Sequence, residues 1–323
     1  MTLSFARRAA LALPGLAASP ARAQSWPARQ ITLIAPFTPG GPVDVLARAL
    51  AQGYQAQSGQ PTVVENRTGA NGNIGIEAVR RAAPDGHTLL VVPAGNMTIN
   101  PTLMADLPYV VQRDFATLSF LASTPNLILT APGLGVRDLA QLAAAARGRR
   151  GGLAYGSPGV GSQLHLTAEL IKRRLGIEML HVPYRGTTAA LNDLLSGQIQ
   201  LLFSNLPAAL PVLQVRRAEA LALTTSMRTG FAPEVPTLGE LGLPGFDIAS
   251  WYGLFAPRAT PAPVQEAIVA ATRAALNAPA MAATLTAQGL ELREETGAAF
   301  GARIARETVA WAEVIRAEGI RLE

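Results

Sequence analysis

The sequence predicts an α/β protein made of two similar units around a cleft, and three observations predict it. Short β-rich runs alternate with helical stretches. A glycine- and proline-rich loop joins a strand to a helix once in each half. The last two helical stretches have no sheet of their own. At 323 residues, 49% hydrophobic and 15% charged, the chain has room for two ordinary domains and apolar material to core both.

Residues 1–24 read as an export signal. Arg7 and Arg8 precede an apolar run over 9–18, and Ala21-Arg22-Ala23 forms a small-x-small cleavage site. Pro14, Gly15 and Pro20 would break a buried helix there. Twin-arginine and ordinary secretory export both stay open. Loss of this segment removes three arginines and no acid, so the formal charge falls from +5 to +2. The first unit then reads as strand 31–35, helix 43–57, strand 62–65, helix 73–82 and strand 88–92. A second set follows: strand 126–130, helix 139–146, strand 153–156, helix 162–175, strand 179–182, helix 188–196, and strands 199–203 and 221–225. One more strand, 251–256, precedes helices 263–277 and 298–317, which are expected to cover the first unit. The expected domains are 25–124 with 249–323, and 125–248.

Two loops carry the functional signal. Pro36-Phe37-Thr38-Pro39-Gly40-Gly41-Pro42-Val43-Asp44 places flexible glycines, a proline suited to a first helical position and a capping aspartate where a strand becomes a helix. A helix start of this kind attracts a carboxylate or phosphate. Gly156-Ser157-Pro158-Gly159-Val160-Gly161-Ser162 repeats the design in the second unit. Ligands of open α/β sheets sit at the carboxyl ends of strands, so the paired loops imply a cleft closing on a small anion. Tyr184-Arg185-Gly186-Thr187-Thr188 precedes a further helix and offers hydroxyls and N–H donors.

Other chemistries fit poorly. Ser162 stands where a phosphate loop needs lysine, and residues 69–75 lack the dinucleotide-binding glycine spacing. There is no cysteine, which excludes thiol catalysis and cysteine-ligated metal, and Lys172 is the only lysine. The basic clusters 147–150 and 172–174 fall at helix ends, so no nucleic-acid surface is expected. His87, His165 and His181 are scattered without metal-ligand spacing. Neither Ser157 nor Ser162 sits in a nucleophile-elbow motif, and an envelope hydrolase using Ser162 and His165 is the weakest alternative. Glu294 and Glu295 read as a solvated helix start. No apolar run beyond the leader reaches bilayer length.

Several strings carry a family resemblance: Pro36-Phe37-x-x-Gly40-Gly41-x-x-Asp44, residues 64–75, residues 83–89, residues 99–101, His181-Val182-Pro183-Tyr184-Arg185-Gly186, residues 205–211, residues 235–237 and Ser250-Trp251-Tyr252-Gly253-Leu254-Phe255-Ala256-Pro257. In this order they resemble the Bug family of substrate-binding proteins, the extracytoplasmic receptors of tripartite tricarboxylate transporters. The resemblance implies a two-lobed α/β periplasmic-binding-protein fold of type II. It also implies a periplasmic, non-enzymatic protein without cofactor or metal, which captures a small carboxylate and hands it to membrane subunits; oligomeric state stays open, with a monomer as the default expectation. A module presenting the same ligand to a membrane sensor kinase is the alternative. The implied contacts are Thr38, Pro39, Gly40, Gly41, Asp44, Ala70, Asn71, Gly72, Asn96, Ser157, Gly159, Ser162, His165, Thr187 and Ser204. Ser204 departs from the family pattern, where an aspartate is common; its loss removes a negative charge and points to a ligand without an amino group.

Overall fold

The structure, a computed structural model, describes residues 26–321, so the leader predicted over 1–24 lies outside the described residues. In chain order the first half comprises β1 (Ile31–Ala35), α1 (Pro42–Ser58), β2 (Thr62–Asn66), α2 (Asn73–Arg80), β3 (Thr88–Pro93) and the short helices α3 (Ala94–Thr98), α4 (Asn100–Leu103) and α5 (Val111–Asp114). Strand β4 (Phe115–Thr130) leads into α6 (Leu139–Arg147), β5 (Leu153–Ser157), α7 (Gln163–Leu175), β6 (Met179–Pro183), α8 (Thr187–Leu195), β7 (Leu201–Asn205), α9 (Leu206–Gln214) and β8 (Glu219–Leu223). The chain returns through β9 (Ala249–Pro257), α10 (Ala262–Asn277), α11 (Pro279–Ala287), β10 (Glu291–Thr296) and α12 (Gly297–Ala317).

Two sheets share one strand. The first runs β2-β1-β3-β9-β4, with β10 on the far side of β4; the second runs β6-β5-β7-β4, with β8 pairing the same stretch of β4. Residues 115–125 of β4 pair with β9, and Asn126–Thr130 pair with β7. The domain limit expected at 124/125 therefore falls inside an unbroken strand. Both sheets place their second, first and third strands in that order, followed by a strand arriving from the other lobe. Pairing is parallel among β1–β3 and among β5–β7, as alternating strands and helices produce, whereas β4, β8, β9 and β10 pair antiparallel to their neighbours. A strand that crosses into the other lobe has no covering helix to reverse it, so it must run back along its neighbour.

Helix periodicity positions the cores. On α1, Val43, Leu46, Ala47, Leu50, Ala51 and Tyr54 recur at helical spacing and are buried, and Gly59 ends the helix in the left-handed region at φ 71°. That stripe packs with Ile268 and Leu276 of α10 on one face of the first sheet, while Ile76 of α2 and Phe300 of α12 core the other. In the second lobe, Leu142, Leu166 and Ile171 cover one face, and Ala190, Leu194, Leu206 and Leu210 the other. The expectation that both terminal helices cover the first unit holds for α10 only. α12 begins there through Phe300 and Ile304 but ends against the second lobe through Ile315. Glu294 and Glu295, expected to open a helix, lie in β10, an edge strand defined by its pairing with β4 rather than by apolar alternation.

Candidate ligand-binding cleft

The lobes meet around a cavity of about 60 Å³, several times the ~10–15 Å³ that one water requires. Helix starts from both lobes form its wall. Gly41, Pro42 and Val43 open α1; Ser162, Gln163 and Leu164 open α7; Gly186 and Thr187 open α8; Asn205 precedes α9. Phe37, Thr38, Pro93, Gly95, Asn96, Pro158, Ser250 and Tyr252 complete the wall, which contains no charged side chain. Each helix start carries roughly half a positive charge in its unpaired N–H groups, so four of them suit an anion without any lysine or arginine. The jaws touch: the Thr38 N–H donates to the Arg185 carbonyl at 3.3 Å, and a Cβ placed on Gly159 would sit 2.8 Å from Asn71 Oδ1.

Of the residues singled out from sequence, Thr38, Gly41, Asn96, Ser162 and Thr187 line this cavity. Asn96 is held by its amide, which donates to the Asn71 carbonyl at 2.7 Å, and by Tyr109, whose hydroxyl donates to the Asn96 carbonyl at 2.7 Å. Pro39, Gly40 and Ala70 are solvent-exposed, and with Asn71, Gly72 and Gly159 they stand outside the cavity wall. Asn71 instead bridges to the opposite jaw from a left-handed backbone at φ 51°.

Four of these residues are committed elsewhere, each for a physical reason. Asp44 is buried; its Oδ2 accepts from Gly40 N–H at 3.0 Å and Arg48 Nε at 2.9 Å, and its Oδ1 accepts from Asn66 Nδ2 at 3.0 Å. The carboxylate thus braces the first loop from behind. Ser157 is fully buried and its hydroxyl meets His181 Nε2 at 2.7 Å. Ser204 is fully buried too, donating to the Asn205 carbonyl at 3.0 Å. His165 Nδ1 accepts the Gly161 N–H at 3.1 Å, while the His165 backbone N–H donates to Ser162 Oγ at 3.2 Å as a helix cap. No ring-to-hydroxyl hydrogen bond joins Ser162 to His165, so the hydrolase pair is not assembled.

Sequence reasoning missed Gln163, Asn205, Ser250 and Tyr252 as wall residues. They arrive from α7, β7 and β9; Asn205, Ser250 and Tyr252 lie within the resembling strings, and Gln163 directly follows the second glycine loop. Ser250 Oγ lies 2.8 Å from Asn126 Oδ1 and 3.0 Å from Gln163 Oε1, and Asn205 Nδ2 donates to both Asn126 Oδ1 and Ser250 Oγ. A neutral buried network therefore ties both interlobe strands to α7.

The whole length of the chain compares well with known proteins. Residues 46–320 match the model of the tripartite tricarboxylate transporter family receptor. The chain belongs to that family. It is 36% identical to Protein BugT of Bordetella pertussis over 97% of this chain and 96% of that protein. Among solved structures, an R. palustris protein with adipate shares 34% identity at a TM-score of 0.87, covering 92% of this chain and 99% of that one. MatC from Rhodopseudomonas palustris, with bound malate, shares 33% at a TM-score of 0.85, covering 90% and 100%. The receptor is a two-lobed solute-binding protein rather than an enzyme, and its structural relatives are periplasmic.

The brace behind the first loop yields a stability prediction. Burial alone would raise the Asp44 pKa, but hydrogen bonds from Arg48, Gly40 and Asn66 outweigh it and hold the carboxyl below its ordinary 3.8. A depressed pKa gives stability that is complete above the unfolded value and is lost as pH falls through the folded one. Asp44→Ala is expected to lower stability at pH 7 by about 1.5–3 kcal/mol, the usual worth of charged hydrogen bonds. Denaturant melts should show this deficit shrinking below pH 3.8; an unchanged deficit at pH 3 would show that packing and not the charge was lost.

Proposed function

We propose that this receptor works outside the cytoplasm, after loss of its leader. It closes on a small carboxylate that has no ammonium group and delivers it to the membrane subunits of a tripartite tricarboxylate transporter. One observation carries the reading: four helix starts converge on a small cavity whose wall has neither a cationic nor an anionic side chain. Main-chain N–H groups satisfy a carboxylate there, while an ammonium would be buried without a counter-charge at a cost of several kcal/mol. The adipate and malate seen in two structural relatives are acids of this kind. The selectivity assigned to Ser204 moves to the neighbouring wall, because Ser204 itself does not line the cavity and no carboxylate replaces it there.

A thermal-shift screen over mono-, di- and tricarboxylates tests this. An acid at a hundred times its Kd should stabilise the protein by about 2.7 kcal/mol. Succinate and glutarate are expected to bind more tightly by calorimetry than aspartate and glutamate, and tight binding of either amino acid would sink the proposal. Loss of carboxylate uptake on deleting the gene, restored by the wild-type chain, distinguishes delivery to a transporter from presentation to a sensor kinase.

A further inference from the structure

We propose that the Tyr252 hydroxyl forms a second recognition point at the hinge side of the cavity, donating a hydrogen bond to an oxygen on the ligand remote from its first carboxylate. This rests on the receptor reading above and adds to it a requirement on the far end of the ligand. Tyr252 lines the cavity and is 2% exposed, and its hydroxyl lies near that of Ser250 but makes no well-aligned hydrogen bond with any described residue. A buried donor left unpaired is destabilising, so a ligand oxygen placed there removes a standing penalty as well as adding a bond.

The surroundings explain why the protein itself does not supply that oxygen. The Ser250 hydroxyl has one proton and already faces two acceptors, Asn126 Oδ1 and Gln163 Oε1, while its oxygen accepts from Asn205 Nδ2. Asn126 Oδ1 also takes the second contact of Asn205 Nδ2. The acceptors of this network are occupied by one another, and the group it leaves over, Asn126 Nδ2, is a donor and cannot accept from Tyr252. Tyr252 pairs with Pro93 of β3 and Ala122 of β4, the strands on either side of β9, so its backbone is fixed in the middle of the sheet. Burial drives its pKa far upward, which keeps the hydroxyl protonated as a donor. Thr38 and Gly186 come from the loops where the jaws meet, whereas Tyr252 comes from a strand joining the lobes; the two ends of the cavity therefore read different ends of one molecule. A second carboxylate, a hydroxyl and a carbonyl all supply the required oxygen.

Calorimetry on the full mature protein, with acids matched in carbon number, tests the assignment. Succinate, 4-hydroxybutyrate and 4-oxobutyrate are compared with butyrate, and adipate with hexanoate. The wild-type protein should prefer the member of each set that carries the remote oxygen. In Tyr252→Phe, which removes one oxygen and keeps the ring, the affinity ratio within the best set should fall about 10-fold, equivalent to about 1.4 kcal/mol. Whichever of succinate, 4-hydroxybutyrate and 4-oxobutyrate shows the fall identifies the form of the oxygen as carboxylate, hydroxyl or carbonyl. Equal losses for both members, or no loss for either, overturn the proposal, as does a wild-type protein that binds butyrate and succinate alike. Failure of the wild-type protein to bind any acid instead overturns the receptor reading, a result distinct from the others.

Discussion

Between pH 6.5 and pH 4.5 the melting temperature of the ligand-free protein is expected to fall by about 5–10 °C, and His165→Asn combined with His181→Gln should abolish most of that fall. The two imidazoles stack with ring centres 4.0 Å apart, and His181 stacks in turn on Tyr155 at 4.9 Å. Burial, with a smaller contribution from Lys172, lowers the His165 pKa to about 4. Burial, then the neighbouring His165 and Lys172, lowers that of His181 to about 3 against the opposing pull of Glu169. Both folded values lie below the unfolded 6.5, so the unfolded chain binds more protons in this window and stability rises with pH. One pKa unit corresponds to about 1.4 kcal/mol, which puts the loss on the order of 2–3 kcal/mol per histidine by pH 4.5. The carboxylates with depressed pKa values, Asp44 and Glu77 among them, start from ordinary values of 3.8 and 4.5 and add their losses only at the acid end. Asparagine keeps an acceptor for the Gly161 N–H and glutamine keeps a partner for Ser157, so the double variant removes titration while preserving both hydrogen bonds. These two bonds hold the loop over 156–162, so carboxylate affinity should fall in the same window. A wild-type melt that stays flat from pH 6.5 to 4.5 would contradict the argument.

What the sequence made legible follows from where the information sits. The strand, glycine loop and helix at residues 31–58 could be read locally because apolar spacing, Pro42 and Gly59 all lie within one stretch of chain. α9 escaped because Pro207 and Pro211 interrupt its pattern; the first occupies the opening turn, where no N–H is needed, and the second is tolerated inside the helix. Residues 115–125 of β4 were missed because they alternate poorly and Pro125 breaks the run, although pairing with β9 holds them extended. Two glycine loops at helix starts were enough to place the cleft. Side-chain direction was not in the sequence: Asp44 and Thr38 lie six residues apart on the same loop, yet one braces it from behind and the other lines the cavity. Tyr252 and Ser250 reach the cavity only through the interlobe pairing of β9, which no local pattern encodes.

Gly95→Val is expected to weaken carboxylate binding about 10- to 100-fold while leaving the ligand-free melting temperature within about 2 °C of wild type. Gly95 is the second residue of α3, two positions after Pro93 at the end of β3, and forms part of the cavity wall. A Cβ built there meets the backbone nitrogen of Gln163 at 3.0 Å, Gln163 Cβ at 3.7 Å and the Gly161 carbonyl at 3.7 Å. All three atoms belong to the opposite lobe, so the closest contacts of the added carbon lie across the cleft. The closest is backbone at the first residue of α7, which can move away only if the helix start and its lobe move with it. Valine adds two further carbons, and the strain of about 1–3 kcal/mol falls on the closed arrangement alone, since opening the jaws relieves it. Gly95→Ala should give a milder loss, because its single carbon needs a shift of only a few tenths of an ångström. Calorimetry reads the affinity, and small-angle scattering should show the ligand-induced contraction of wild type reduced in Gly95→Val. Undiminished affinity in that variant would mean that the liganded lobes stand farther apart than the contact between Gly95 and Gln163 requires.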